Sequence, residues 1–180
     1  MPFNKIEKPL KSSPIYSKNS AFPFIIVIGI FDGSVGILRN LPLHLHIEKY
    51  NAAILIVQQS SILPKKMLIQ SLAGQNLTPV IAATNGAVVK SNQIYLAPAG
   101  KDIIITKGRI AFYKPSVGES SIPVIKQVFK SLPFEATTHC IGVVISANHS
   151  DGTAGFHSLK SKGGWQFLQI KYKRRKYVEF

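Results

Sequence analysis

The stretch Cys140-Ile-Gly-Val-Val-Ile-Ser-Ala-Asn-His-Ser-Asp-Gly-Thr-Ala-Gly155 decides the fold of this chain. Its first half is an apolar, largely β-branched run of strand length, and glycines punctuate its second half. The pattern predicts a buried strand, a tight turn at Gly152 and Gly155, and a helix from about Thr153 to Lys162. Asp151 lies at the exit of the strand, where open α/β sheets bind ligands, so it is a candidate functional residue. Capping of the following helix is the alternative role.

Working outward, strand and helix patterns alternate along the chain. Apolar runs predict strands at 24–30, 53–58, 80–83, 93–97 and 165–170, and helical patterns occur at 35–41, 64–73 and from Pro123 onward. The helix after Pro123 carries Ile125, Val128, Phe129 and Leu132 on one face. Lys107-Gly108 is a two-residue turn signal for a β-hairpin of residues 102–106 and 109–113. The predicted fold class is α/β, a doubly wound, mainly parallel sheet with helices on both faces and one hairpin.

Composition predicts a single ordered domain. The chain has 180 residues, 46% of them apolar, and a formal charge of +14 from 22 basic and eight acidic residues. We expect a flexible leader at 1–20, a domain at 21–170 and a basic tail at 171–180. Such a charge favours an acidic partner, although solvated basic ends are the simpler explanation. The single Cys140 fits a reducing cytoplasm, and the apolar run after the leader is too short to span a bilayer, so we expect no membrane insertion.

Cofactor and metal signals are weak. The loop Gly29-Ile-Phe-Asp-Gly-Ser-Val-Gly36 lacks the dinucleotide spacing, and the second strand ends without the acidic residue that a ribose needs. His44 and His46 alternate with leucines, which predicts one exposed face, and no third metal ligand accompanies them. The sequence therefore predicts no cofactor and no metal.

Several motifs occur in an order that resembles the CheB-type chemotaxis methylesterase domain. They are the Ile-Gly of strand one, the Ile-Val-Gln that ends strand two, Tyr95-Leu-Ala-Pro98, and Ser150-Asp-Gly-Thr-Ala-Gly155. The resemblance runs from about residue 24 to residue 169. It implies hydrolysis of glutamyl methyl esters, and often glutamine deamidation, on chemoreceptor helices by a Ser-His-Asp triad.

Carried onto this chain, the resemblance leaves the triad incomplete. The family's serine position holds Phe31, its histidine position holds Gln59, and only the aspartate is retained, as Asp151. Phenylalanine has no nucleophilic atom and glutamine is no base at neutral pH, so we expect an impaired methylesterase. Ser34 and His149 are possible substitutes, although a helix cap and a solvated loop residue are the simpler roles for them.

The resemblance also sets expectations about context and partners. Family members usually carry a receiver domain and continue past the last strand, whereas here only the leader precedes strand one and a basic tail follows residue 170. The expected partners are methylated chemoreceptor helices or another chemotaxis signalling protein, in the cytoplasm. A non-catalytic module that binds receptors or signalling proteins is the alternative function, and nucleic-acid binding through the basic ends is a weaker third.

Overall fold

The computed structural model describes residues 23–30, 47–58, 69–70, 72, 78–98, 101–113, 125–132, 140–145 and 150–169. The strands in these ranges are β1 (Phe24–Ile30), β2 (Ala52–Gln58), β3 (Val80–Ala82), β4 (Gln93–Leu96), β5 (Asp102–Thr106), β6 (Arg109–Tyr113), β7 (Cys140–Ile145) and β8 (Trp165–Gln169). Two α-helices follow the later strands, α1 (Ile125–Ser131) and α2 (Ser150–Ser161), and a 3-10 helix spans Ile47–Lys49.

A six-stranded sheet organises the domain. Its strand order is β3-β4-β2-β1-β7-β8, and every neighbouring pair is parallel. Strands β1 and β2 lie in the middle, and β2 is buried from Ala52 to Val57. Central strands read as continuous apolar runs because both of their faces are covered. The predicted doubly wound parallel sheet is therefore confirmed.

Two apolar clusters cover the two faces of the sheet. On one face Val27, Leu55 and Val144 pack with side chains of α1, α2 and the β5-β6 hairpin. On the other face Ile28, Ile54 and Leu96 pack with Ile47 and with Leu72, which lies in a helical segment. Alternate residues of each strand point to opposite faces, so each central strand contributes to both clusters.

The helices α1 and α2 approach the sheet closely at glycines. A Cβ atom on Gly29 would lie 2.6 Å from Cδ1 of Ile125, and one on Gly142 would lie 2.7 Å from Cδ2 of Leu159. Both distances are far below an ordinary carbon–carbon contact of about 3.5–4.0 Å. Glycine at these two strand positions therefore provides the space that the helix side chains occupy.

The hairpin has the predicted turn. Lys107 and Gly108 both have positive φ, 49° and 70°, as a type I′ turn requires. The register pairs Thr106 with Arg109. On its outer side, β5 is held by Ser131 at the end of α1, whose hydroxyl accepts a hydrogen bond from the Ile105 amide at 2.9 Å.

Most predicted elements match the observed ones, with small changes at their ends. Strand β2 begins one residue earlier, β3 ends at Ala82 instead of 83, and β4 ends at Leu96 instead of 97. Strand β8 ends at Gln169, and residue 170 lies outside the described residues, as do the helix predicted at 35–41 and most of the one at 64–73.

The predicted start of the last helix was wrong. Helix α2 begins at Ser150, not near Thr153, and it includes both Gly152 and Gly155. Glycine is a poor helix former, which is why the sequence suggested a turn there. The packing of α2 against α1 and β7, with Leu159 fully buried, stabilises the helix in spite of its glycines.

No helix among the described residues has both the length and the apolar character that a membrane-spanning segment needs.

Candidate functional site

The carboxyl edge of the sheet is the candidate site. Strand register sets Ile30, the last residue of β1, level with Gln58, the last residue of β2. The same Ile30 pairs with Ile145, the last residue of β7. Three neighbouring strands thus end at one level.

This edge contains the reversal of strand order. From β1 the chain proceeds to β2 on one side, whereas β7 and β8 lie on the other. Connections leave β1 and β7 in opposite directions, and the crevice between their carboxyl ends is where open α/β sheets bind ligands. The topology therefore indicates a ligand site at the carboxyl ends of β1 and β7, which is the edge where the sequence analysis expected Asp151.

Asp151 lies in the first turn of α2. It is the second residue of that helix, so the alternative role as a cap before a helix starting near Thr153 does not apply. A negative charge is favoured in the first turn because the helix dipole is positive there.

The other predicted site residues lie outside the described residues. These are Phe31, Gln59, Ser34 and His149, together with His44 and His46. In the chain Phe31 directly follows Ile30, and Gln59 directly follows Gln58.

Beneath the edge, the backbone of the Tyr95-Leu-Ala-Pro98 segment is fixed by hydrogen bonds. The amide of Ala97 donates to the carbonyl of Ile56 at 2.9 Å, and the amide of Ala83 donates to the carbonyl of Leu96 at 2.9 Å. Leu96 is 1% exposed. These bonds continue the hydrogen bonding of the sheet slightly past the ends of β3 and β4. They fix the backbone of this segment beside the carboxyl end of β2.

Two hydrogen-bonded side chains, of the buried Tyr95 and the half-buried Ser131, were not predicted from the sequence. The Tyr95 hydroxyl accepts a hydrogen bond from the Lys90 amide at 2.8 Å and lies 2.6 Å from Oε1 of Gln93. The Ser131 hydroxyl donates to the Val128 carbonyl at 2.7 Å while it accepts from β5. Tyrosine within an apolar strand and serine at a helix end are ordinary residues there, so no local pattern indicated either role.

Cys140 is a structural residue at the start of β7. It is the single cysteine of the chain, and it is fully buried. Burial raises the pKa of its thiol to about 12, because the thiolate loses its hydration. At neutral pH the thiol is therefore protonated and unreactive.

No group of three or more metal-ligating side chains occurs in the part of the chain that the structure describes.

Comparison with known proteins identifies the family. A family model described as CheB methylesterase matches residues 26–173. Curated relatives named protein-glutamate methylesterase/protein-glutamine glutaminase include one from Lawsonia intracellularis, 27% identical over 91% of this chain and 46% of its own length. One from Trichodesmium erythraeum is 28% identical over 81% of this chain and 42% of its own length. The chain spans less than half the length of these relatives.

A solved structure agrees with the fold. The Thermotoga maritima CheB methylesterase catalytic domain superposes with a TM-score of 0.66 at 23% identity, covering 80% of this chain and 78% of that one. The parallel sheet, the hairpin and the match over most of the chain lead to one conclusion: the chain belongs to the CheB methylesterase family.

Proposed function

We propose that this chain keeps the framework of a chemotaxis methylesterase but is impaired in ester hydrolysis. The observation that carries the proposal is the strand register, which brings the ends of β1, β2 and β7 to one level. The residues that leave these ends are those that the family uses for its triad. Here they include Phe31 and Gln59, with Asp151 in the helix that follows β7.

The chemistry of these side chains explains the impairment. Ester hydrolysis by a triad needs a hydroxyl that attacks the carbonyl carbon and an imidazole that takes the hydroxyl proton. Phe31 offers no lone pair, and the Gln59 amide does not accept a proton at neutral pH. Loss of a triad nucleophile or base lowers kcat on the order of a millionfold, so Asp151 alone supports no useful turnover.

The test measures methanol release from methylated chemoreceptor in membranes. We expect the unchanged chain to give the background rate. The double substitution Phe31→Ser/Gln59→His rebuilds a nucleophile and a base beside Asp151, and we expect a rate at least about a hundredfold above background, the usual contribution of a positioned base. Phe31→Ala/Gln59→His is the matched control, because it has the imidazole without the hydroxyl.

The role of Asp151 is tested in the rebuilt background. Adding Asp151→Asn should return the rate to background, since the imidazole then loses the carboxylate that orients it. Methanol release by the unchanged chain that is lost in Ser34→Ala and in His149→Ala would contradict impairment. That result would support a rebuilt pair of substitutes.

The second candidate function is a non-catalytic module that binds chemoreceptors or another chemotaxis signalling protein. It is supported by the six-stranded parallel sheet, which is present although two proposed triad positions hold residues without the required chemistry. Binding predicts association with receptor-containing membranes that persists in Asp151→Asn and in Ser34→Ala. Nucleic-acid binding would instead show a steep salt dependence that is lost when residues 171–180 are deleted.

We also propose the boundaries given above, with a leader at 1–20, the methylesterase-like domain at 21–170 and a basic tail at 171–180. The family match runs from residue 26 to residue 173, so it covers most of the proposed domain and the first three residues of the proposed tail. The family resemblance further supports a cytoplasmic location.

A further inference from the structure

A second surface lies at the opposite, amino edge of the sheet. Helix α1 runs from Ile125, which packs at Gly29 near the end of β1, back to Ser131, which bonds to Ile105. The turn after β5 therefore lies at the amino edge. The segment before β4 reaches the same edge, since the Asn92 amide donates to the carbonyl of Ala52, the first residue of β2.

Basic side chains meet on this edge. Val88 forms an antiparallel bridge with Arg109, flanked by hydrogen bonds from the Val89 amide to Gly108 and from the Ile110 amide to Ala87. In this arrangement the two bridged Cα atoms are about 4.5 Å apart. Lys90 directly follows Val89 and Lys107 directly precedes Gly108, so the two lysines flank the same backbone hydrogen bond. We name Val88, Lys90, Lys107 and Arg109 the basic tip.

The basic tip is held in place by the interior. The carbonyl of Val88 lies 3.2 Å from the buried Tyr95 hydroxyl, and the Lys90 amide donates to that hydroxyl at 2.8 Å. The Arg109 guanidinium donates to the Gly86 carbonyl at 2.9 Å. A surface whose backbone is fixed before binding loses little conformational entropy on contact with a partner.

Within the ranges that the structure describes, few acidic residues accompany the cations of the tip. Lys90, Lys107 and Arg109 are all exposed. Among the described residues, Asp102 is 3% exposed, and the backbone of Asp151 lies in the first turn of α2, which follows the carboxyl end of β7. Like charges set side by side repel one another, and an anionic partner removes that cost.

Apolar side chains lie among these cations. Val88 is 44% exposed within the tip, and Tyr50 is 60% exposed next to Lys49. A hydrogen bond links the chain neighbours of Tyr50 and Lys90. The side-chain oxygen of Asn51, which follows Tyr50, accepts it from the hydroxyl of Ser91, which follows Lys90. A partner that presents both carboxylates and apolar side chains can pair with the cations and also cover the exposed apolar side chains. Nucleic acid phosphates would satisfy the cations but leave Val88 without a contact.

We propose that the basic tip is a docking surface for an acidic, amphipathic segment of a protein partner. The surface lies on the edge of the sheet opposite the triad positions, so partner binding there does not depend on ester hydrolysis. The docking proposal can therefore be tested independently of the proposal that the methylesterase is impaired.

The test uses fluorescence anisotropy of a labelled amphipathic peptide of about 20 residues, with glutamates along one side and leucines beside them. Lys90→Glu/Lys107→Glu should raise its Kd about tenfold or more, because two attractions become repulsions. Val88→Ser should raise it about threefold through loss of apolar contact. The substitutions leave Arg109 and its bond to Gly86 intact.

The matched control is Lys101→Glu/Lys160→Glu, which changes the net charge equally at two exposed lysines outside the tip. We expect less than about a twofold change in Kd. Equal weakening by both double variants would show attraction by net charge alone and overturn the proposal. So would the absence of saturable binding, or tighter tip-dependent binding of oligothymidylate or anionic lipid vesicles. If the double variant does not fold, as judged by circular dichroism, Val88→Ser and Lys90→Gln make the same comparison.

Discussion

Replacing Gly142 with alanine tests how the helices are packed on the sheet. Gly142 is a buried residue of β7 beneath both α1 and α2. An added Cβ would lie 2.7 Å from Cδ2 of Leu159 and 3.0 Å from Cε1 and Cζ of Phe129. Ordinary carbon contacts are about 3.5–4.0 Å, so side chains of two helices have to move by roughly 0.5–1 Å.

The expected loss of stability follows from this overlap. Overpacking of a close-packed core by one methyl group costs about 1–3 kcal/mol. The lower entropy of the unfolded alanine chain offsets about 0.4–1 kcal/mol of that cost. We expect the free energy of unfolding to fall by about 1–2 kcal/mol, which for a domain of this size lowers Tm by about 2–8 °C.

The assay is a double-mutant cycle measured by urea unfolding. Leu159→Ala removes the nearest clashing atom, so the cost of Gly142→Ala should fall by about 1 kcal/mol in that background. Gly86→Ala is the control, because nothing lies within 4 Å of its added Cβ and its cost comes from its φ of +80°. The cost of Gly86→Ala should be equal in both backgrounds. An unchanged cost of Gly142→Ala in the Leu159→Ala background would refute the steric explanation.

Three further predictions concern the side chains of Cys140, Ser131 and Tyr95. Cys140 should resist alkylation at pH 8 until the protein unfolds. Because its folded pKa is raised from 9.0 to about 12, its stabilising contribution is complete below pH 9 and is lost as the pH rises towards 12. The difference in unfolding free energy between wild type and Cys140→Ala should therefore fall over that interval by up to about 1.4 kcal/mol per pH unit, and a flat difference contradicts the shift. Ser131→Ala should cost about 1 kcal/mol and accelerate hydrogen exchange at the Ile105 amide, whereas unchanged exchange there would mean that water replaces the hydroxyl. Tyr95→Phe should cost a similar amount in thermal unfolding and speed exchange at the Lys90 amide, while retained protection of that amide would exclude the hydroxyl as its partner.

Local patterns predicted the elements of this fold well where one segment contains the whole signal. The apolar runs of β1 and β2 are buried on both faces, and this is visible in their composition alone. Lys107-Gly108 adopts the turn that its two residues favour, because only adjacent backbone angles are involved. The glycines of α2 show the limit of local patterns, since packing by Leu159 outweighs their low helix propensity.

By itself, then, the sequence determined the strands, the hairpin turn, the family motifs and the chemical identity of the residues that we propose for the triad positions. Only the tertiary structure decided which residues share an edge. Strand register sets Ile30 level with Gln58 and Ile145, and the pairing of segment 86–89 with β6 brings Lys90 towards Lys107. These neighbours are distant in the chain and come together through long-range backbone pairing and packing, for which no single stretch of residues carries a signal.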